Sequence, residues 1–425
     1  MIVGEKAGNI LDDLSKCQRF VRIRIMQQIS YYVKRTIRQL FECLSETANR
    51  CLYYILPDQD RSVSSPAPTK ILLAKLDAIG DFVLFTAVLP AYRELFAKAH
   101  IVLLVRDNVA GLAGNCPYVD EVWTLDAGKF KVNLAERLRW RRRLVRENFD
   151  VAIHARYSVG SERYLDCLAA WCRAPRRIAF ECLYERNKRD SSNPYYPELV
   201  PESGKGRFEI DRNYDMVRYL GFAGNPTHTT SVWITDGDRT TADSLLSGIS
   251  GKSYAVLMPG ATLYERQWGA ENFVMAVREI NARHRNISWL LCGSAAETDL
   301  CGVIASHLSE NAIPHAMLAG KTSLRDLAVL IEGALFYLGN ETSGAHIAAS
   351  VGVPALCILG GGHYGRFFPY PGNPLTIGIT NLLSCYGCNW ECRYDEFLCI
   401  TGIRVQKVVA EVDKVLVPNR DACRC

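Results

Sequence analysis

The sequence predicts an α/β protein: two Rossmann-like, doubly wound domains facing each other across a cleft, preceded by a helical extension. Three observations lead there. From about residue 71, short apolar runs of strand type alternate with longer runs whose apolar residues recur at helical spacing, the pattern of parallel sheets with crossover helices. That alternation is interrupted by polar and turn-forming residues around 224–252 and then begins again. A chain of 425 residues, 48% apolar and 22% charged, is also long enough for two cores of ordinary soluble composition.

Taken in order, residues 1–57 read as helical. Phe20, Ile23, Ile29, Tyr32, Val33, Ile37 and Leu40 are interleaved with Arg19, Arg22, Arg24, Lys34, Arg35 and Arg38. This basic amphipathic pattern suits either a helical hairpin packed on the body or a helix lying on an anionic membrane surface. Residues 58–70, rich in Pro and Ser, read as a linker. The first α/β domain is expected over 71–235. Its strands are KILLAKL, HIVLLV, YVDEVWTLD and FDVAIHARY, with the arginine-rich helix LAERLRWRRRLVREN before the last. The second domain, 236–425, has strands SYAVLMPG, ISWLLCGS, LFYLGN and PALCILGG. Its helices are AENFVMAVREINARH, LRDLAVLIEGA and SGAHIAASVG.

Composition narrows the function. A net charge of +5 permits an anionic ligand and is too weak for a nucleic-acid binder. No apolar run approaches the ~20 residues of a membrane helix, and no secretory apolar region opens the chain. Sixteen scattered cysteines argue for a reducing compartment, the cytoplasm. No GxGxxG follows the first strand of either domain, which disfavours a simple NAD(P) dehydrogenase.

Ligands of such sheets bind beyond the carboxyl ends of the strands, so the turns found there matter most. After KILLAKL comes Asp77-Ala78-Ile79-Gly80-Asp81, where Asp81 serves either as a helix-start carboxylate or as an acid–base group. After SYAVLMP come Gly260, Thr262 and then Arg266 before Trp268. A helix N-terminus with a nearby arginine neutralises a diphosphate, and a plain turn with a surface arginine is the alternative. After LFYLGN come Glu341, Thr342, Ser343 and Gly344, with His346 inside the next helix: hydroxyl and backbone donors suited to phosphate, or an ordinary tight turn.

Together these segments resemble glycosyltransferase family 9, whose best-known members are the ADP-heptose:lipopolysaccharide heptosyltransferases. The resemblance runs over about residues 70–415, through KLDAIGDFVLFTAVLPAYRELF, PGATLYERQWGAENF, LLCGSAAE and LAGKTSLRDLAVLIEGALFYLGNETSGAHIAASVGVPALCILG. It implies a GT-B fold and an inverting sugar transfer, with the acceptor on the first domain and an ADP-linked nucleotide-sugar donor on the second. By position, Asp81 corresponds to the general base and Arg266 to the cation at the departing diphosphate. Gly260, Thr262, Glu341, Thr342, Ser343, Gly344 and His346 fall on donor-binding positions. The acceptor implied is a cell-envelope glycan or glycolipid such as lipopolysaccharide core, or a protein, reached at the cytoplasmic face of the inner membrane. Arg156, Ser158 and Ser161, after the fourth strand, are the acceptor candidates. Where the family has Asp-Thr-Gly, this chain has Glu341-Thr342-Ser343, and the Pro that often follows the family's Trp is absent after Trp268. Both changes alter the shape of the donor pocket.

No Asp-x-Asp sits at a strand end, so no metal is expected in the chemistry. Near the end, CYGCNWECRYDEFLC places Cys385, Cys388, Cys392 and Cys399 at spacings that suit a structural zinc or iron, with a set of free thiols as the alternative. Some relatives, including heptosyltransferases that modify bacterial autotransporter proteins, are similar here and carry structural iron. Two rival functions share parts of this pattern: a nucleotide-sugar epimerase of the same fold, which needs no acceptor, and a non-catalytic metal-binding scaffold.

Overall fold

A computed structural model of the chain describes residues 68–156, 165, 167–181, 195–201, 204, 206–246 and 253–417. The helical extension 1–57, most of the linker expected over 58–70, and Ser158 and Ser161 lie outside the described residues.

Two six-stranded sheets form the frame. The first runs β3 (Glu121–Leu125), β2 (His100–Arg106), β1 (Lys70–Lys75), β4 (Val151–His154), β5 (Arg176–Phe180), β6 (Glu198–Val200). The second repeats that order with β9 (His315–Met317), β8 (Ser288–Leu291), β7 (Tyr254–Met258), β10 (Tyr337–Asn340), β11 (Ala355–Ile358) and β12 (Thr376–Ile379). Every pairing is parallel. Strand order therefore reverses between β1 and β4 in one sheet and between β7 and β10 in the other. A doubly wound sheet opens a crevice at such a switch point, beyond the carboxyl ends of the strands.

The near-continuous apolar runs of the central strands follow from burial on both faces. Along β1, Ile71 and Leu73 enter a core between the sheets, while Leu72 and Ala74 enter the core on the outer side of the first sheet. The inner core is continuous across the domain boundary: Phe82 and Val83 belong to the same cluster as Tyr337, Ala345 and Ile347. A third core covers the outer face of the second sheet, where Trp289, Phe273 and Val409 meet.

The helices used below are α1 (Ile79–Phe85), α2 (Leu134–Arg146), α3 (Glu209–Tyr219), α4 (Asp236–Leu246), α5 (Ala270–Arg283), α6 (Leu324–Glu332), α7 (Ser343–Ser350) and α8 (Val405–Leu416). Helix α1 opens directly after β1 and α7 directly after β10, and the two pack on each other across the cleft. Helix α4 lies on α6, and α8 on α5. In the arginine-rich α2, Arg137 is buried and its Nε donates to the Phe130 carbonyl at 2.9 Å, while Arg143 lies over the Trp123 ring at 3.6 Å. Much of its basic character is thus structural. Among the described residues no helix is long and apolar enough to cross a membrane.

The domains are also tied by polar contacts. Arg325, at the start of α6, donates from Nη1 to the Gly111 carbonyl at 2.8 Å and from Nε to Asp238 Oδ1 at 2.6 Å. Its Nη2 reaches the Trp233 carbonyl at 3.1 Å. One guanidinium thereby joins the second domain, the connecting segment and the first domain. Its hydrogen bonds hold the Asp238 carboxyl well below the usual range. Arg325→Ala is expected to destabilise the protein by about 1.5–3 kcal/mol, the range for hydrogen bonds to charged groups. Urea unfolding checks this, and small-angle scattering reads any accompanying opening of the domains.

Candidate active site

The site forms where the two switch points face each other. After β1 the chain turns through Asp77 into α1, and Lys75 and Arg156 close on Asp77 from either side. Lys75 Nζ lies 2.7 Å from Asp77 Oδ2, and Arg156 Nε lies 2.8 Å from Oδ1. Burial opposes ionisation of Asp77, but the two cations outweigh it and its carboxyl stays below its ordinary value. A buried triad of this kind is costly to break, because removing one partner strands the others' charge. Arg156, expected to meet an acceptor, therefore has an internal carboxylate partner and is itself buried. Spacing could not reveal that pair, since its members come from two non-adjacent turns.

Asp81 sits in the first turn of α1. The residue at the N-cap is Ala78, and no side chain caps the helix, so Asp81 is not a cap. Burial pushes its carboxyl up to about 7, with Asp77 and Glu209 adding to the effect and Lys75 and Arg366 opposing it. A carboxyl poised near neutrality at a cleft suits proton transfer. Beside it, Gly80 allows the domains to meet: a Cβ there would lie 2.8 Å from His346 Cδ2. Any side chain at this position would push α1 away from α7. The imidazole of His346 is buried, its Nδ1 lies 3.1 Å from the Tyr370 hydroxyl, and burial followed by the charge of Arg266 lowers its pKa to about 4. His346 is therefore a neutral wedge at the domain contact.

On the second domain, Asn340 at the end of β10 staples the site together. Its Nδ2 donates to the Pro259 carbonyl at 2.6 Å, and its Oδ1 accepts from the Trp268 backbone N–H at 3.2 Å. The turn after β10 is thus fixed to the turn after β7. The next residue, Glu341, is buried, and burial raises its carboxyl to about 7. Arg266 and Arg366 pull it back and Asp81 raises it further. Its Oε2 is buried with no hydrogen-bond partner, as is Nε of Arg266. Two such groups, a carboxyl and a guanidinium, are what a polar ligand would satisfy.

Thr342 takes the N-cap position of α7 in extended conformation without capping it. Its hydroxyl instead lies 3.2 Å from that of Tyr337. The N–H groups of that first turn, which includes Ser343, receive no bond from the Thr342 side chain, which suits an anion. Gly344 has a packing reason: a Cβ would lie 2.5 Å from Met258 Sδ and 2.5 Å from Tyr337 Cε2. Gly260 similarly accommodates the Glu297 carboxylate, which a Cβ would strike. Thr262 is exposed at the rim.

Three participants were missed from the sequence. Arg366 reaches Asp81 and Glu341 electrostatically while its Nε donates to Glu209 Oε2 at 3.1 Å. Glu209 in turn donates its backbone N–H to the Arg366 carbonyl at 2.7 Å, which pins this loop to α3 of the other domain. His363, just after the glycine run that follows β11, has its Nδ1 3.1 Å from Arg266 Nη2. The strand-end rule applied to GGGH would have found it.

The four cysteines lie near one another, since burial and the neighbouring Cys388, Cys385 and Cys392 raise the Cys399 thiol. Cys385, Cys388 and Cys392 are half-buried and Cys399 buried, all as free thiols. Among the described residues no three His, Cys, Asp or Glu side chains are arranged to hold a metal ion. Cys392 Sγ points instead to the Glu396 carbonyl at 3.7 Å. The segment is organised by its aromatic residues, which pack on the glycine loop.

A family model described as glycosyltransferase family 9 (heptosyltransferase) matches residues 137–393. Lipopolysaccharide heptosyltransferase 3 of Escherichia coli K12 is 24% identical over 346 residues, covering 79% of this chain and 95% of that protein. Among solved structures, a glycosyltransferase of family 9 from Veillonella parvula superposes with a TM-score of 0.68 at 17% identity, over 85% of this chain and 99% of the other. The E. coli heptosyltransferase WaaC with ADP-2-deoxy-2-fluoro heptose gives 0.58 at 16% identity, over 81% and 99%. At these identities the structural likenesses establish the fold, which is that of the GT-B heptosyltransferases.

Proposed function

The chain belongs to glycosyltransferase family 9, and from that premise we propose that it transfers a heptose or related sugar, with inversion, from an ADP-linked donor to a cell-envelope glycan such as lipopolysaccharide core. The observation that carries this reading is that Asp81, from one switch point, and Arg266, from the other, both act on the buried Glu341 carboxyl. One domain supplies a carboxyl of neutral pKa and the other supplies cations and helix-start donors.

In the proposed reaction an acceptor hydroxyl lies against Asp81. Its oxygen attacks the anomeric carbon from the side opposite the diphosphate as its proton passes to the Asp81 carboxylate. The new C–O bond forms as the bond from carbon to diphosphate oxygen breaks, which inverts the centre. The charge appearing on the diphosphate is met by Arg266, by the start of α7 and by Arg366. Glu341 is assigned to the donor sugar, whose hydroxyls would use its unpartnered oxygen. Heptose is favoured by the relatives, and WaaC is known with an ADP-heptose analogue.

The test is stabilisation of the purified protein by nucleotides, followed by turnover. ADP and ADP-heptose are expected to raise the melting temperature, since a ligand of the native state stabilises it by mass action. ADP-heptose with a heptose-deficient core glycan is expected to yield ADP and extended glycan. Stabilisation by UDP or GDP alone would sink the donor assignment. Consumption of nucleotide sugar with no acceptor present would favour epimerase chemistry.

A further inference from the structure

The Cys-rich segment is built onto the site through its aromatic residues. After β11 the chain passes through Gly360, Gly361 and Gly362, whose bare backbone lies under two rings. A Cβ on Gly360 would lie 2.6 Å from Trp390 Cη2 and one on Gly361 2.6 Å from Tyr386 Cδ2, while one on Gly362 would run into the Trp390 indole. Trp390 and Asn389 both hold left-handed backbone, with φ of 65° and 53°. That region is uncommon for any residue with a side chain and a genuine outlier for a bulky one. Such conformations persist where the surroundings over-determine them, as they do at ligand sites.

These conformations accompany a four-residue relay. His363 Nδ1 faces Arg266 Nη2 at 3.1 Å and accepts from Trp390 Nε1 at 3.3 Å. Arginine and tryptophan only donate, so Nδ1 must be the bare nitrogen and the ring proton sits on Nε2. Nε2 is 2.8 Å from Asn389 Oδ1, which accepts that proton's hydrogen bond. The Arg266 guanidinium meanwhile lies over the Trp390 ring, 5.0 Å from its centroid. Burial, only partly offset by Asn389, lowers the His363 pKa to about 4, so the acceptor lone pair is present throughout the neutral range.

We propose that His363 is a positioning residue for the donor diphosphate, its tautomer set by Asn389 so that its bare Nδ1 fixes the Arg266 guanidinium over the Trp390 ring. The Cys-rich segment is then part of the donor site through its aromatic and amide side chains. This rests on the assignment of Arg266 to the diphosphate. It adds a second layer that holds the cation in one orientation before the donor arrives, which lessens the ordering cost of binding.

The experiment is calorimetric titration of ADP and of AMP into the full chain and four variants. His363→Leu removes the acceptor. Asn389→Gly removes the tautomer-setting oxygen and keeps a residue that tolerates positive φ. His363→Asn returns an oxygen acceptor near the Nδ1 position, and Arg266→Ala is combined with His363→Leu. ADP affinity is expected to fall about tenfold in His363→Leu and by less in Asn389→Gly, as loss of a hydrogen bond to a charged group predicts. AMP affinity stays at the wild-type value, and His363→Asn recovers most of the ADP loss. In the double variant His363→Leu adds nothing to Arg266→Ala, because it acts through that residue. Equal ADP affinity in wild type and His363→Leu overturns the proposal. So do equal losses for ADP and AMP, or additive losses in the double variant, either of which marks a merely structural role. A wild type that binds no ADP removes the assignment of Arg266, and the proposal with it.

Discussion

Asp81→Asn is expected to lower kcat for sugar transfer by about 10²–10⁴-fold, the usual share of a positioned general base, while ADP binds much as in wild type. The amide keeps the size of the side chain and loses its capacity to take a proton. In the wild type, log kcat/KM should rise with pH through about 7 and level off above it, because the carboxyl must be ionised to act and burial holds its pKa there. Glu341 titrates in the same range and raises no barrier to this sign, but the two are neighbours, so the limb reports the pair. The same shift predicts a stability effect. The folded protein favours the protonated form of Asp81, so its contribution is complete below the ordinary value of 3.8 and is lost as pH rises through about 7. Asp81→Asn should therefore melt above the wild type at pH ~8 and close to it at pH ~4. A variant with full turnover, or with stability changed in the opposite sense, would remove Asp81 from the role of base.

The second large effect is expected at Arg266. Arg266→Ala should cost about 10²–10³ in kcat, the range for losing a preorganised group at developing charge. It should also weaken ADP binding, because its guanidinium lies against His363 and acts on the Glu341 carboxyl. Arg266→Lys is expected to recover part of the rate, since a point charge replaces a planar fork and the Trp390 contact weakens. Steady-state kinetics with ADP-heptose in excess separates the two parameters. Unchanged kcat in Arg266→Ala would shift the diphosphate to Arg366, which acts on both the Asp81 and the Glu341 carboxyls.

The fold was legible because parallel strands buried on both faces must be nearly uninterrupted runs of apolar residues, and the crossover helices between them must be amphipathic. KILLAK, YAVLM and YLGN are therefore recognisable without any partner. The turns were legible for a related reason. A carboxylate, a glycine or a hydroxyl at the end of such a strand stands beside the crevice, so Asp81, Arg266 and Glu341 could be noted as candidates, while their roles came from the family resemblance. The cysteine spacing was a weaker signal, because CxxC sets distances along the chain only; what the structure adds is that the intervening Tyr386 and Trp390 pack on the glycine loop and Trp390 bonds His363.

What the sequence by itself determined is the class of fold, the two switch points and the residues stationed at them, because periodicity and strand-end chemistry are local. The tertiary structure alone decided what those residues became. It turned Arg156 inward onto Asp77, raised Asp81 and Glu341 together at one cleft, brought Gly80 against His346, and delivered Arg366 and His363 from the loop after β11. Ionisation and hydrogen bonding depend on neighbours separated by as many as 285 positions, as between Asp81 and Arg366, and on the solvent they exclude together. Such quantities come into being only when the two sheets close on each other.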